Sequence, residues 1–232
     1  MNPLLFRAIA ALLDYPSHEL STDLPELRAL LMSDKTLTKI GQQQLNSFFD
    51  YMLSQGDYDL QENYVALFDR GRGTSLHLFE HVHGDSRDRG QAMVDLKAMY
   101  DNHGMTLSQP ELPDYLPVFL EFLSCLPSEE ARDLLNETTH IIRNIGEQIA
   151  KRGSHYYFLL SALLILAGEK PLDVAFTAHD LREEPDDLEA IDKAWEEEPV
   201  TFGGCNTTPT YDAKTHAAVV QVRPSARAAH GL

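Results

Sequence analysis

The sequence predicts an all-α protein, and three observations carry this prediction. Apolar residues recur at three- and four-residue spacing in one segment after another, as on the buried face of an amphipathic helix. Proline, glycine and capping residues separate these segments where helices start and end. No comparable run alternates apolar and polar residues as a half-buried strand does. We therefore expect an irregular helical bundle of about nine helices, formed as a single domain by residues 1–199, and a disordered tail at 200–232.

Four helical segments are predicted in the first half of the chain, and punctuation residues mark their ends. Their apolar stripes lie at 2–13, 45–53, 60–68 and 93–100. The first lacks the basic start and cleavage site of an export signal. The second stops at Gly56, where a left-handed C-terminal cap is expected because glycine has no Cβ. Ser86 can cap the fourth, which closes at His103-Gly104.

Four further segments follow in the second half. Pro113 and Pro117 bracket the start of one helix, and the clearest helix runs from Ser128, with acids in its first turn, to a basic end before Gly153. The run 156–168 is the longest apolar stretch, but it is shorter than the roughly 20 residues that span a bilayer, so we expect a buried core helix. The apolar residues of the acidic stretch 180–198 keep helical spacing. We therefore predict a helix that packs one face against the rest of the protein and exposes its acidic face.

The charge balance excludes one broad class of function. The chain has 36 acidic and 19 basic residues and a formal net charge of −17, and the excess lies in residues 1–199 because the tail is slightly basic. A charge of this sign repels nucleic acid. The two cysteines, Cys125 and Cys205, suggest no disulfide framework, as expected in a reducing, cytoplasmic compartment.

The most unusual stretch runs from Leu67 to Gly90 and concentrates histidine, arginine and acidic residues. His77, Glu80 and His81 spell H-x-x-E-H, which on one helix would place two imidazoles a turn apart beside a carboxylate, as in some zinc sites. A local network of salt bridges is the alternative interpretation. The residues expected to fix the loop in that way, or else to contact a partner, are Asp69, Arg70, Arg72, Arg87 and Arg89.

The same stretch carries a resemblance that continues along the chain. Residues 67–90, the following Gln91-Ala-Met-Val-Asp-Leu, the segment from Glu111 to Leu123 and the acidic tryptophan tract 194–198 together resemble the NarJ family. This family belongs to the TorD/DmsD/NarJ group of redox-enzyme maturation proteins. The wider group carries a motif near E-P-x-D-H, and here the matching segment reads Glu111-Leu-Pro-Asp-Tyr115, with tyrosine in place of the usual histidine.

The resemblance implies a TorD-like, all-α chaperone rather than an enzyme. Family members bind the N-terminal leader of the nitrate reductase catalytic (alpha) subunit, keep the apoprotein soluble and assist insertion of molybdopterin guanine dinucleotide before membrane attachment. They hold no cofactor stably, they are not subunits of the mature complex, and molybdenum cofactor carrier proteins are further possible partners. A chaperone for another molybdoenzyme of the group, a metal-binding protein and a structural subunit stay open as alternatives.

A leader of this kind is basic, so an acidic chaperone with an apolar groove would suit it. We expect the groove between the segment 77–83 and the helix that follows Glu111. The predicted client-binding residues are Phe79, Glu80, His81, His83, Glu111, Asp114, Tyr115, Leu116 and Phe119. For Leu116 and Phe119, packing in the protein core is the competing interpretation.

Overall fold

The computed structural model describes residues 2–83, 87–107 and 111–178, and eight α-helices account for most of them. In chain order the helices are α1 Leu4–Leu13, α2 His18–Ser33, α3 Lys39–Ser54, α4 Asp57–Phe68, α5 Arg87–Asn102, α6 Leu116–Ser124, α7 Ser128–Lys151 and α8 Tyr157–Ala167. Two short 3₁₀ helices, Arg72–Thr74 and Leu78–Glu80, lie between α4 and α5. No β-strand occurs among these residues, so the predicted all-α class is confirmed.

The helix α8 lies at the centre of the fold. Every one of its residues is buried, as expected for the longest apolar run of the chain. Its neighbours α3 and α7 approach closely because each presents a glycine: a Cβ at Gly41 would lie 2.7 Å from Ile165 Cδ1, and one at Gly146 would lie 3.1 Å from Leu160 Cβ. The helix α1 packs against α6. No helix in the described part of the chain is long and apolar enough to cross a membrane.

Side chains and backbone conformation define most helix boundaries as predicted. The helix α7 begins at Ser128 with Glu129 in its first turn, and Gly153 follows its end with a φ of 68°. The prediction for Gly56 is wrong. Its φ is −80°, and it precedes α4 as an N-terminal cap in extended conformation instead of closing α3 in the left-handed region. A short turn therefore joins α3 directly to α4.

One helix was not predicted from the sequence, and several predictions concern residues that the structure does not describe. The helix α2 was not predicted, because only Leu24 and Leu31 along its length are buried and Pro25 lies inside it. Ser17 caps this helix by accepting a hydrogen bond from the Leu20 N–H at 3.2 Å. The proposed cap at Ser86, the acidic helix over 180–198 and the tail at 200–232 lie outside the described residues.

Three arginines, two within α7 and one that directly follows it, bind backbone carbonyls of other segments. Arg152 donates to the carbonyls of Ala66 and Leu67 at 3.0 and 3.1 Å, at the end of α4. Arg132 donates to the last carbonyl of α8, that of Ala167, at 3.2 Å. Arg143 donates to the carbonyl of Lys170 at 3.0 Å. Because the carbonyl end of a helix carries partial negative charge, these guanidinium groups stabilise the ends of α4 and α8.

Candidate functional site

Asp114, the acid of the E-P-x-D-H-like segment, lies in the protein interior. Its side chain is fully buried, and one carboxylate oxygen accepts a hydrogen bond from the Phe79 N–H at 3.1 Å. The other lies 3.2 Å from Nδ1 of His77. Arg89 of α5 approaches the same carboxylate at 3.9 Å and pairs with Glu80 at 3.2 Å. Asp114 therefore joins the second 3₁₀ helix, α5 and the start of α6.

This network changes the protonation of His77. The hydrogen bond that His77 donates to Asp114 raises the pKa of the imidazole, and burial opposes the rise. The charges of Asp114 and Glu80 raise this pKa further, and the charge of Arg89 lowers it. The proton on the His77 imidazole is stabilised because it is shared with the buried carboxylate of Asp114. His77 and Asp114 are therefore structural partners of one another in the free protein.

The metal-site alternative requires His77, Glu80 and His81 on one α-helix, and the structure does not show this arrangement. Residues 78–80 form a single 3₁₀ turn, with His77 and His81 flanking it. The two imidazoles have separate partners, because Nε2 of His81 lies 2.8 Å from the carbonyl oxygen of Ser75. Within the described ranges, no group of three or more histidine, cysteine or acidic side chains is arranged to hold a metal ion.

The groove expected between the segment 77–83 and the helix after Glu111 is closed by direct contact. The Leu78 N–H donates to the carbonyl of Asp114, and the Leu116 N–H donates to the carbonyl of Leu76, both at 2.9 Å. Leu116 is fully buried and Phe119 is 4% exposed, so both belong to the core. Backbone hydrogen bonds therefore join the two segments, and there is no groove between them in which Leu116, Phe119 and Asp114 could contact a client.

An open groove lies instead beside α6. Its volume is about 400 Å³. Apolar side chains from the segment that follows α5 and from the first turn of α6 line it, namely Met105, Leu107, Pro117 and Val118. Three carboxylates and one phenol share the lining: Asp14, Glu111, Glu121 and Tyr115. The groove therefore combines apolar surface with acidic groups.

Tyr115 connects the groove to the core. Its hydroxyl lies 3.1 Å from the hydroxyl of Tyr64 and 3.4 Å from a carboxylate oxygen of Asp14. Tyr64 in turn donates to the carbonyl of Leu13 at 2.9 Å. Burial raises the pKa of Tyr115, the bond with Tyr64 opposes this, and the charges of Asp14 and Glu111 raise it further. Both carboxylates thus act on the same phenol, which stays protonated and can donate.

In the part of the chain that the structure describes, the three carboxylates of the groove have no cationic partner. Among the described residues, neither Asp14 nor Glu111 nor Glu121 forms an ion pair. Asp14 follows α1 directly, at the end where the helix dipole is negative, so its charge is placed unfavourably. An acidic site of this kind attracts a cation from outside the chain.

Of the predicted client-binding residues, Glu111 and Tyr115 line the groove. Phe79, Glu80, His81 and His83 are partly exposed on and after the second 3₁₀ helix, and they do not line it. Arg89, one of the residues expected to fix the loop or contact a partner, pairs with Glu80.

Sequence reasoning missed Asp14, Glu121, Met105, Leu107, Pro117 and Val118. Asp14 is distant in sequence from the motif, and its only signal was an acid at a helix C-terminus, where a base is usual. The signal for Glu121 was different: it interrupts an apolar run, four residues after Pro117.

Comparison with known proteins identifies the family. The family model described as the nitrate reductase delta subunit matches residues 33–159, more than half of the chain. The chain belongs to this family. The prediction of family membership made from the sequence is thereby confirmed.

Named relatives agree with that assignment. The nitrate reductase molybdenum cofactor assembly chaperone NarJ of Escherichia coli (strain K12) is 41% identical over 196 residues, which cover 84% of this chain and 83% of the relative. The probable assembly chaperone NarW of the same strain is 40% identical over 205 residues, 88% of this chain and 86% of the relative. A probable NarJ of Bacillus subtilis (strain 168) is 33% identical over 163 residues, 68% of this chain and 85% of the relative. These names describe chaperones and not catalysts, in agreement with the expectation that the chain is not an enzyme.

Proposed function

We propose that this protein is an assembly chaperone of nitrate reductase. It keeps the apo form of the catalytic subunit soluble in the cytoplasm and supports insertion of the molybdenum cofactor, as molybdopterin guanine dinucleotide, before the enzyme attaches to the membrane. The names and high coverage of the relatives support this proposal. The cofactor is cargo for the client, and molybdenum cofactor carrier proteins are possible further partners.

The groove beside α6 is our proposed site for the N-terminal leader of the catalytic subunit. The observation that carries this assignment is the combination of an apolar lining with three carboxylates that have no cationic partner among the described residues. An amphipathic peptide buries its apolar face in such a groove, and its basic residues meet the acids at the rim. The net charge of −17 adds a long-range attraction for a basic leader.

The expected affinity suits a chaperone that must release its client. Burial of two large apolar side chains contributes roughly 3–6 kcal/mol, at about 1.5–3 kcal/mol each. Ordering of the peptide and the loss of its translational freedom offset part of this gain. Binding should therefore be moderate and should weaken as the salt concentration rises, because exposed ion pairs are screened.

Calorimetry with a synthetic leader of the cognate catalytic subunit tests this assignment. We expect the double variant Glu111→Gln, Glu121→Gln to bind several-fold more weakly and to lose much of the salt dependence. The matched control is Asp133→Asn, Glu137→Gln, which removes two exposed charges from α7 and none from the groove. Equal losses in both variants would assign the effect to net charge and not to the groove.

The description of the family model as a delta subunit favours a second candidate, a subunit that stays in the finished enzyme. The two functions differ in when the protein is bound. A chaperone should enrich with the catalytic subunit in cells that cannot make molybdopterin and should be absent from the mature, membrane-bound reductase. Retention in the purified mature complex would favour the subunit, and enrichment of a different molybdoenzyme would assign another client.

A further inference from the structure

The acidic groove beside α6 carries its negative charges at two separate places. The carboxylates of Asp14 and Glu111 lie around the phenol of Tyr115. An oxygen of Asp14 is 3.4 Å from the phenol hydroxyl, and besides burial the charges of both acids raise the pKa of this phenol. We call Asp14 and Glu111 the first acidic end of the groove.

Glu121 forms the second acidic end. Tyr115 is the residue directly before α6, and Glu121 lies six positions further along this helix. An α-helix rises about 1.5 Å per residue, so the backbone positions of Tyr115 and Glu121 are about 9 Å apart along the axis of α6. Both residues line the groove. The negative charges are therefore distributed over nearly two helical turns instead of being concentrated at one point.

Apolar side chains lie between the two acidic ends. Pro117 and Val118 belong to the first turn of α6, between Tyr115 and Glu121, and both line the groove. Pro117 is buried and Val118 is half-buried, whereas the three acidic residues are exposed. Along α6, the groove therefore presents acidic, then apolar and then again acidic surface.

One cationic group of a ligand can compensate only one of the two ends. An ion pair requires a nitrogen–oxygen distance of about 4 Å or less, and the ends are separated by about twice that distance. The described residues that line the groove include no lysine, arginine or histidine that could compensate the other end. Full charge complementarity therefore requires two cationic groups with an apolar side chain between them.

We propose that the groove selects a helical segment of its client in which two basic residues lie seven positions apart, with large apolar residues three and four positions after the first. This inference rests on the proposed function, because it specifies which part of a client leader the groove accepts. Residues at positions i, i+3, i+4 and i+7 share one face of a helix. The two basic residues are then about 10.5 Å apart along the axis, close to the separation of the acidic ends.

Isothermal titration of the full chain with three isomeric helical peptides tests the proposal. Each peptide is alanine-rich, has about 16 residues and carries two leucines at i+3 and i+4 and two lysines. The lysines are at i and i+7 in the first peptide, at i and i+9 in the second, and at i+2 and i+9 in the third, where positions i+2 and i+9 lie on the opposite face.

The three peptides have the same composition and net charge, so only the placement of the lysines distinguishes them. An exposed ion pair contributes up to about 1 kcal/mol, which corresponds to about fivefold in affinity. We expect the second peptide to bind about two- to fivefold more weakly than the first, and the third about four- to 25-fold more weakly. Equal affinities of the three isomers, or no binding of the first, overturn the proposal.

A protein variant identifies the partner of the second lysine. Glu121→Gln should weaken binding of the first peptide by about two- to fivefold and leave the second unchanged, because the remaining lysine of the second pairs with the first acidic end. Glu137→Gln, at an exposed position of α7 outside the groove, is the matched control and should affect neither peptide. Equal losses for both peptides in Glu121→Gln contradict the assignment of the two ends.

Titration of the cognate leader in parallel separates this inference from the proposed function. If the leader binds and depends on the groove carboxylates while the three isomers bind equally, the required spacing is wrong and the proposed function stands. If the isomers are discriminated as expected but the leader does not bind, the proposed function is wrong and the selectivity of the groove stands.

Discussion

Replacement of Asp14 by asparagine should stabilise the free protein and weaken its binding of the client leader. Asp14 carries a negative charge at the negative end of α1 and lines the acidic groove. An anion at this end of a helix costs about 0.3–1 kcal/mol. Asparagine removes the charge and can still accept the hydrogen bond that the Tyr15 N–H donates to Asp14 at 2.8 Å. We therefore expect the thermal midpoint to rise by about 1–3 °C, since about 1 kcal/mol corresponds to 2–4 °C for a chain of this size.

The effect on binding should have the opposite sign. An exposed ion pair between Asp14 and a basic residue of the leader contributes about 0.2–1 kcal/mol, so its loss weakens binding by up to about fivefold. Scanning calorimetry of the free protein and isothermal titration with the leader measure the two quantities. Asp34→Asn is the matched control, because Asp34 follows α2 in a similar extended conformation and lies outside the groove. A lower midpoint or an unchanged affinity for Asp14→Asn, or an equal loss of affinity for Asp34→Asn, would refute the reasoning.

Three further predictions concern the interior. Asp114→Asn should lower the free energy of unfolding by about 2–4 kcal/mol in denaturant titrations, because it breaks a buried charged network; a loss below 1 kcal/mol would contradict that role. Asp114 raises the pKa of His77, so the stabilisation is complete below the unfolded pKa of about 6.5 and is lost as pH rises through the folded value. His77→Gln should thus destabilise more at about pH 5.5 than at about pH 8.5, and a pH-independent effect would refute the pairing. Gly146→Ala should destabilise by about 1–3 kcal/mol through overpacking against Leu172 and Leu160, whereas the open Gly90→Ala should stabilise by up to about 1 kcal/mol. Similar effects of the two substitutions would exclude close packing around Gly146.

The fold was predictable from sequence wherever a helix carried its own signals. The helix α7 has acids at its start, a base at its end and a glycine beyond, and the fully apolar α8 could only be buried. Prediction failed for α2, whose weak apolar stripe is completed by contacts with other helices. It also failed at Gly56, because a glycine between two helices can close one or open the next, and only tertiary packing decides between them.

The sequence indicated part of the chemistry of the proposed site but not its location. The motif drew attention to Glu111 and Tyr115, which line the groove. It could not reveal that Asp114 turns inward to bind the Phe79 N–H, since an acid beside histidines and arginines looks the same whether the network is buried or exposed. Asp14 comes from a helix about one hundred positions earlier, and proximity of that kind appears only when the chain is folded.

The arginines within and directly after α7 have a consequence for folding cooperativity. Arg132 in α7 and Arg152, the residue after its end, bind carbonyls in the last turns of α8 and α4, elements that are far apart in sequence. Opening of either last turn breaks its hydrogen bonds to these guanidinium groups. Fraying, which is usually local to each helix end, is thereby coupled through α7, and the amide protons in the last turns of α4 and α8 should exchange with solvent together, in the same opening event as those of α7.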